Sequence, residues 1–171
     1  MLVWNLRNQG ADAVLAEEIG QMLRTRKLTL ATAESCTGGK MGDLITEAAG
    51  SSDYYLGGVV SYSNDAKIKL LGVDKKTLYA KGAVSEEVAV EMAEGARKKL
   101  GADIGVGITG IAGPMGATPS KPVGLVYIAV SSAKGSLCVE NRFQGSRHDV
   151  KKLSAETALV MLKDFIGTKH G

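Results

Sequence analysis

Three short polar segments, two of them rich in glycine, hold most of the side chains in this sequence that can do chemistry. They are Glu34-Ser35-Cys36-Thr37-Gly38-Gly39, Ser61-Tyr62-Ser63-Asn64-Asp65-Ala66-Lys67 and Thr109-Gly110-Ile111-Ala112-Gly113-Pro114. In the first, hydroxyls and a thiol precede a helix, whose free N–H groups and positive dipole end suit an anion. The same donors make an oxyanion hole if a hydroxyl attacks a carbonyl. The plainer alternative is a helix N-cap followed by packing glycines. The second segment sets a phenol, hydroxyls and an ammonium at a strand-to-helix junction. A desolvated lysine there loses its proton and serves as general base; a half-buried Tyr62 beside a solvated Lys67 is the ordinary alternative. The third segment holds phosphate through its backbone, or is a surface turn. Cys36 is either a nucleophile with His148 as base or a small buried thiol.

Other chemistries find no support. There is no GxGxxG opening a helix in a βαβ unit and no GxxxxGK[ST], so no dinucleotide cofactor or P-loop is expected. His148 and His170 lack metal-ligand spacing, and Cys36 and Cys138 form neither a CxxC pair nor a disulfide framework, so no metal is expected either. The net charge of +3 arises from 21 basic and 18 acidic residues, scattered along the chain, with 5% aromatic residues. That pattern argues against a nucleic-acid platform. No apolar run is long enough to span a bilayer. The start, Met1 to Asn8, lacks the basic, apolar and small-residue regions of a signal peptide. The expectation is a cytoplasmic protein without membrane contact.

The elements that must position these residues are legible from periodicity. The chain has 171 residues, which gives a prior of one domain covering 1–171. Apolar spacing predicts helices from Asp12 to Arg26, from about Met41 to Ala48, over a short stretch after Asn64-Asp65, from Ser85 to Leu100 and from Ser146 to Phe165. Strands are expected at 28–33, 58–63, 104–109, 123–131 and 137–143, the last two joined as a hairpin at Ala133-Lys134-Gly135. Helices and strands alternate early and the hairpin comes late. This predicts an α/β fold, a three-layer α/β/α sandwich around a mixed, mostly parallel five-stranded sheet. The chain also carries 22 glycines, where about 12 are expected at roughly 7% usage.

Taken together, the motifs are far more specific than singly. Ala33-Glu34-Ser35-Cys36-Thr37-Gly38-Gly39, Ala49-Gly50-Ser51-Ser52, Ser61 to Lys67 with Leu70-Leu71-Gly72-Val73, Gly82-Ala83-Val84-Ser85, Thr109 to Pro114 and Lys121-Pro122-Val123-Gly124 occur in order. Residues 12 to 166 thereby resemble the C-terminal domain family of competence/damage-inducible protein A. Standalone members of that family are nicotinamide-nucleotide amidohydrolases. The separate N-terminal domain of longer members lies outside the resemblance, and its pyrophosphatase activity is not expected.

The resemblance implies hydrolysis of the carboxamide of nicotinamide mononucleotide to nicotinate mononucleotide and ammonia, with no cofactor and no metal. It implies Ser35 as nucleophile and Lys67 as base assisted by Tyr62. Glu34, Thr37, Gly38, Thr109, Gly110, Gly113 and Arg147 are the implied substrate contacts. One stretch departs from the family pattern: Gly113-Pro114-Met115-Gly116-Ala117-Thr118 has Met115 and Ala117 where positive φ is disfavoured, so the loop is expected to differ in shape. The rival reading, from another class, is a catalytically silent nucleotide-binding or partner module of the same fold. The expected partner is a small-molecule nucleotide, together with a homo-oligomer in which Tyr54, Tyr55 and Leu56 are candidate interface residues.

Overall fold

The computed structural model describes residues 2–168, with the side chains of 2–9 and 11 excepted. The elements run α1 (Leu2–Arg26), β1 (Leu30–Glu34), α2 (Lys40–Thr46), β2 (Tyr55–Val60) and α3 (Asn64–Ala66), then a π turn (Lys67–Leu71) and α4 (Lys75–Lys81). They continue with α5 (Glu86–Leu100), β3 (Ile104–Gly110), β4 (Leu125–Ser132), β5 (Gly135–Arg142) and α6 (Arg147–Gly167). The strands form one sheet in the order β2-β1-β3-β4-β5. The β2, β1 and β3 ladder is parallel, and β4 runs against both β3 and β5, so four of the five strands share one direction. Helices cover both faces, as expected for the three-layer sandwich.

On one face Leu30, Ile104, Val106, Ile108, Val126 and Ile128 pack against α1 (Ile19, Leu23), α2 (Met41, Ile45) and α6 (Leu159, Leu162, Phe165, Ile166). On the other, Ala31 and Ala33 meet Val88, Met92 and Ala96 of α5, with Leu71 and Val73. This second face is made of small residues for a reason. A Cβ added at Gly107 would lie 2.2 Å from the Ala89 carbonyl oxygen, and one at Gly105 would lie 2.0 Å from that of Ala93. The backbone of α5 therefore rests directly on β3, which accounts for glycines that composition alone left unexplained.

Several boundaries differ from the periodicity reading. α1 begins at Leu2 rather than Asp12. β1 starts at Leu30 because the Thr29 N–H and hydroxyl both donate to the Asp103 carboxylate (2.8 and 2.7 Å), turning the chain before the ladder. β2 lies three residues earlier than expected: pairing from Leu30–Tyr55 to Glu34–Val60 uses up β1, and Ser61 N–H closes the ladder on Glu34 O. α4 was not anticipated. Its sequence KKTLYAK buries only Leu78, so it has no apolar period to read, although Asp74 caps it through Lys76 N–H. Tyr54 belongs to the core at 1% exposure, which removes it from any interface, whereas Leu56 is exposed. Among the described residues no helix is long and apolar enough to cross a membrane.

Candidate active site

The carboxyl ends of β1, β2 and β3 lie together because the three strands are parallel. That is the edge at which open α/β sheets bind ligands. Side chains alternate across a strand, so as β1 ends Glu34 points to the α2 side and Ser35 to the α5 side. The Ser35 N–H donates to Ile108 O at 3.0 Å, fixing the serine between two strands.

After β2 the Ser63 hydroxyl caps α3 by accepting from Ala66 N–H at 3.1 Å, and the helix widens into the π turn that starts at Lys67. Such turns often mark functional sites. Here it drives the lysine inward. Lys67 is 1% exposed, donates to Ser61 O at 2.7 Å and has Nζ 3.0 Å from Ser35 Oγ. No carboxylate among the described residues pairs with it. Loss of surrounding water lowers its pKa from 10.5 to about 8. When neutral, the amine keeps one N–H on Ser61 O and turns its lone pair to the serine hydroxyl.

A cleft of about 220 Å³ opens over this pair and brings together Ser35, Tyr62, Lys67, Thr109, Gly110, Gly113 and Arg147, with Cys36, Ala83, Val84, Ile111, Ala112, Met115 and Gly116 completing the wall. Arg147 is the first residue of α6, set by the reciprocal Ser146–Asp149 capping box. Its guanidinium donates to Gly113 O (2.8 Å) and to the Tyr62 hydroxyl (2.9 Å). Tyr62, 62% exposed, therefore stands at the mouth paired with Arg147 rather than with Lys67. The buried Thr109 hydroxyl is spent on Ala83 O at 2.8 Å, so it holds the Ala83–Val84 wall in place. In the 113–117 loop, positive φ falls on Gly113 and Gly116, not on Met115 or Ala117, and Met115 projects into solvent.

Glu34, Thr37 and Gly38 do not line the cleft. The expected helix N-terminus at Ser35 is also displaced. α2 begins only at Lys40, and the N–H groups of Met41 and Gly42 in its first turn, together with Gly39 N–H, are taken by the Glu34 carboxylate. Within the turn itself, Ser35 N–H is held by Ile108 O and Gly38 N–H by Ser35 O, which leaves Cys36 and Thr37 N–H, among the described residues, without a main-chain acceptor.

The alternative nucleophile is not assembled. Burial pushes the Cys36 thiol up to about 11, and His148 lines a separate cleft with Asp12, Lys40, Asp43 and Glu156. His170 lies outside the described residues. No group of three or more His, Cys, Asp or Glu among the described residues is placed to hold a metal ion. Two site features lay within the sequence motifs without a role assigned to them: the Ser61 carbonyl, which accepts from Lys67, and the Ala83 carbonyl, which accepts from Thr109, act through main-chain atoms that residue types do not advertise.

Fold and site define a three-layer α/β/α domain carrying a buried serine–lysine pair at the carboxyl edge of its parallel strands. The chain belongs to the CinA C-terminal domain family, which it matches over residues 12–166. It is 51% identical to a CinA-like protein of Chlorobaculum tepidum over 87% of this chain and 36% of that one, and 48% identical to one of Microcystis aeruginosa over 89% and 37%. The chain thus spans little more than a third of the length of these curated relatives. The crystal structure of competence/damage inducible protein CihA from Agrobacterium tumefaciens superposes with a TM-score of 0.88 at 41% identity, covering 92% of this chain and 96% of that one.

Proposed function

We propose that this domain is a serine amidohydrolase that converts the carboxamide of nicotinamide mononucleotide to the carboxylate, releasing ammonia. The observation that carries the reading is the buried Lys67 Nζ 3.0 Å from Ser35 Oγ. A primary amide needs an activated nucleophile, stabilisation of the oxyanion and a proton for the leaving nitrogen. Neutral Lys67 takes the Ser35 proton as Oγ attacks the carbonyl carbon. The Cys36 and Thr37 N–H groups face the developing oxyanion. Lys67 then returns the proton to the departing ammonia, leaving an ester on Ser35. Water, deprotonated by Lys67, hydrolyses that ester to nicotinate mononucleotide and free serine. Arg147 keeps three of its five N–H donors for the phosphate at the cleft mouth after its bonds to Gly113 and Tyr62.

The energetics favour an enzyme over a silent binding module. Holding Lys67 at a pKa of about 8 costs on the order of 3 kcal/mol at neutral pH, a burden that serves a general base and gives a binding module nothing. The test is ammonia release from nicotinamide mononucleotide by the purified protein, with Ser35→Ala as control. Turnover by the wild type alone supports the reading, and an inert wild type refutes it.

A further inference from the structure

Glu34 stands next to the nucleophile, yet it is 2% exposed and outside the cleft. Its carboxylate accepts three main-chain N–H groups, Gly39 (3.0 Å) and Met41 (3.1 Å) on Oε2 and Gly42 (2.9 Å) on Oε1. No lysine or arginine pairs with it among the described residues.

We propose that Glu34 is a positioning residue for Ser35: by closing residues 34–42 into a ring, its carboxylate sets the direction of Ser35 Oγ against Lys67. The inference rests on the serine–lysine reading above. The peptide plane between Glu34 and Ser35 is pinned upstream, with Glu34 O accepting from Ser61 N–H (2.8 Å) and Ser35 N–H donating to Ile108 O (3.0 Å). Downstream, the Ser35 carbonyl accepts from Gly38 N–H (3.2 Å), and Gly38 and Gly39 reverse the chain at φ +66° and +99°. That left-handed pair returns Gly39 N–H to Glu34 and needs glycine at both positions. α2 has no other side-chain cap, since its N-cap residue is Gly39. The carboxylate is therefore what ties the far side of the turn back to the residue beside the nucleophile.

A cap with a purely structural role would lower the melting temperature and leave the chemistry of each folded molecule untouched. Glu34→Gln keeps the shape, but in either amide orientation its NH₂ faces main-chain N–H donors. A serine-directed fluorophosphonate reads Ser35 independently of any natural substrate: a P–O bond to Ser35 Oγ replaces P–F, fluoride leaves, and Lys67 takes the proton. We expect Glu34→Gln, below its melting temperature, to be labelled about 10²-fold more slowly than wild type, the loss that a displacement on the order of 1 Å brings. kcat for the carboxamide should fall in parallel while KM stays near wild type. The midpoint of the pH profile should not move, because the change is geometric. Glu34→Asp, which keeps the charge on a shorter stem, should fall between the two, and it is read in place of Glu34→Gln if the amide variant does not fold. Labelling within threefold of wild type, or a shifted midpoint with an unchanged plateau, overturns the inference. A wild type that is not labelled refutes the serine–lysine reading itself and removes the inference with it.

Discussion

Lys67 offers the sharpest perturbation because its predicted behaviour follows from burial alone. With a pKa of about 8, roughly one molecule in eleven carries the neutral amine at pH 7, half at pH 8 and about ten in eleven at pH 9. If neutral Lys67 takes the serine proton, kcat/KM rises about tenfold between pH 7 and pH 9 with a midpoint near 8, far below a free lysine. Lys67→Arg keeps the charge but cannot accept a proton, since a guanidinium has a pKa above 12. Its kcat should fall by about 10²–10⁴-fold, the usual range for loss of a general base. The assay is the initial rate of ammonia release across that pH range. A flat profile, or Lys67→Arg above about a tenth of wild-type kcat, would refute the base assignment and leave only an electrostatic role. Stability should rise with pH as well. Because the folded pKa is depressed, the burial penalty is fully present below pH 8 and disappears as pH rises to the unfolded value of 10.5. Lys67→Met relieves about 3 kcal/mol of it at pH 7 and gives up two hydrogen bonds of about 1 kcal/mol each. Urea unfolding should therefore show a gain of about 1 kcal/mol at pH 7 that turns into a loss above pH 10.5.

Three further outcomes are expected. Ser35→Ala should keep the melting temperature near wild type and lose about 10³-fold or more in kcat, whereas Cys36→Ala, which removes a thiol held near 11 by burial, should retain most activity; steady-state rates distinguish them. Arg147→Ala should raise KM for the nucleotide and change KM for the phosphate-free riboside little, so equal losses on both would assign Arg147 to holding Gly113 and Tyr62 instead. Gly107→Ala drives a Cβ to 2.2 Å from Ala89 O; it should cost about 3 kcal/mol or more in denaturant unfolding, the scale of a severe core clash, and an unaffected midpoint would show that α5 can lift from β3.

Strongly periodic or well-capped segments were readable from the sequence. Ser85 and Gly101 bracket α5, and the Ser146 capping box starts α6 where the pattern placed it. The Ala133–Gly135 hairpin likewise gave the antiparallel half of the sheet. What periodicity missed was decided by partners. β2 took its register from β1 rather than from its own Val59-Val60, and α4 shows a solvated face with one buried leucine. In the site, Ser35 and Lys67 stood in motifs whose spacing set them at adjacent strand ends. The spacing did not reveal that Tyr62 turns outward to Arg147 or that Thr109 is spent on Ala83. Nor did it reveal that Glu34 belongs to the far face of β1, where alternation sends it to cap α2. Those are tertiary choices among hydrogen-bond partners, and residue type leaves them open.

The central claim is a covalent ester on Ser35 formed with Lys67 as base. It is tested most directly by quenching the wild-type protein in acid during turnover of nicotinamide mononucleotide and mapping its peptides by mass spectrometry. The account predicts a nicotinoyl-nucleotide adduct on Ser35 that is missing from Lys67→Arg treated in the same way. An adduct on Cys36, or turnover that survives in Ser35→Ala, would contradict it.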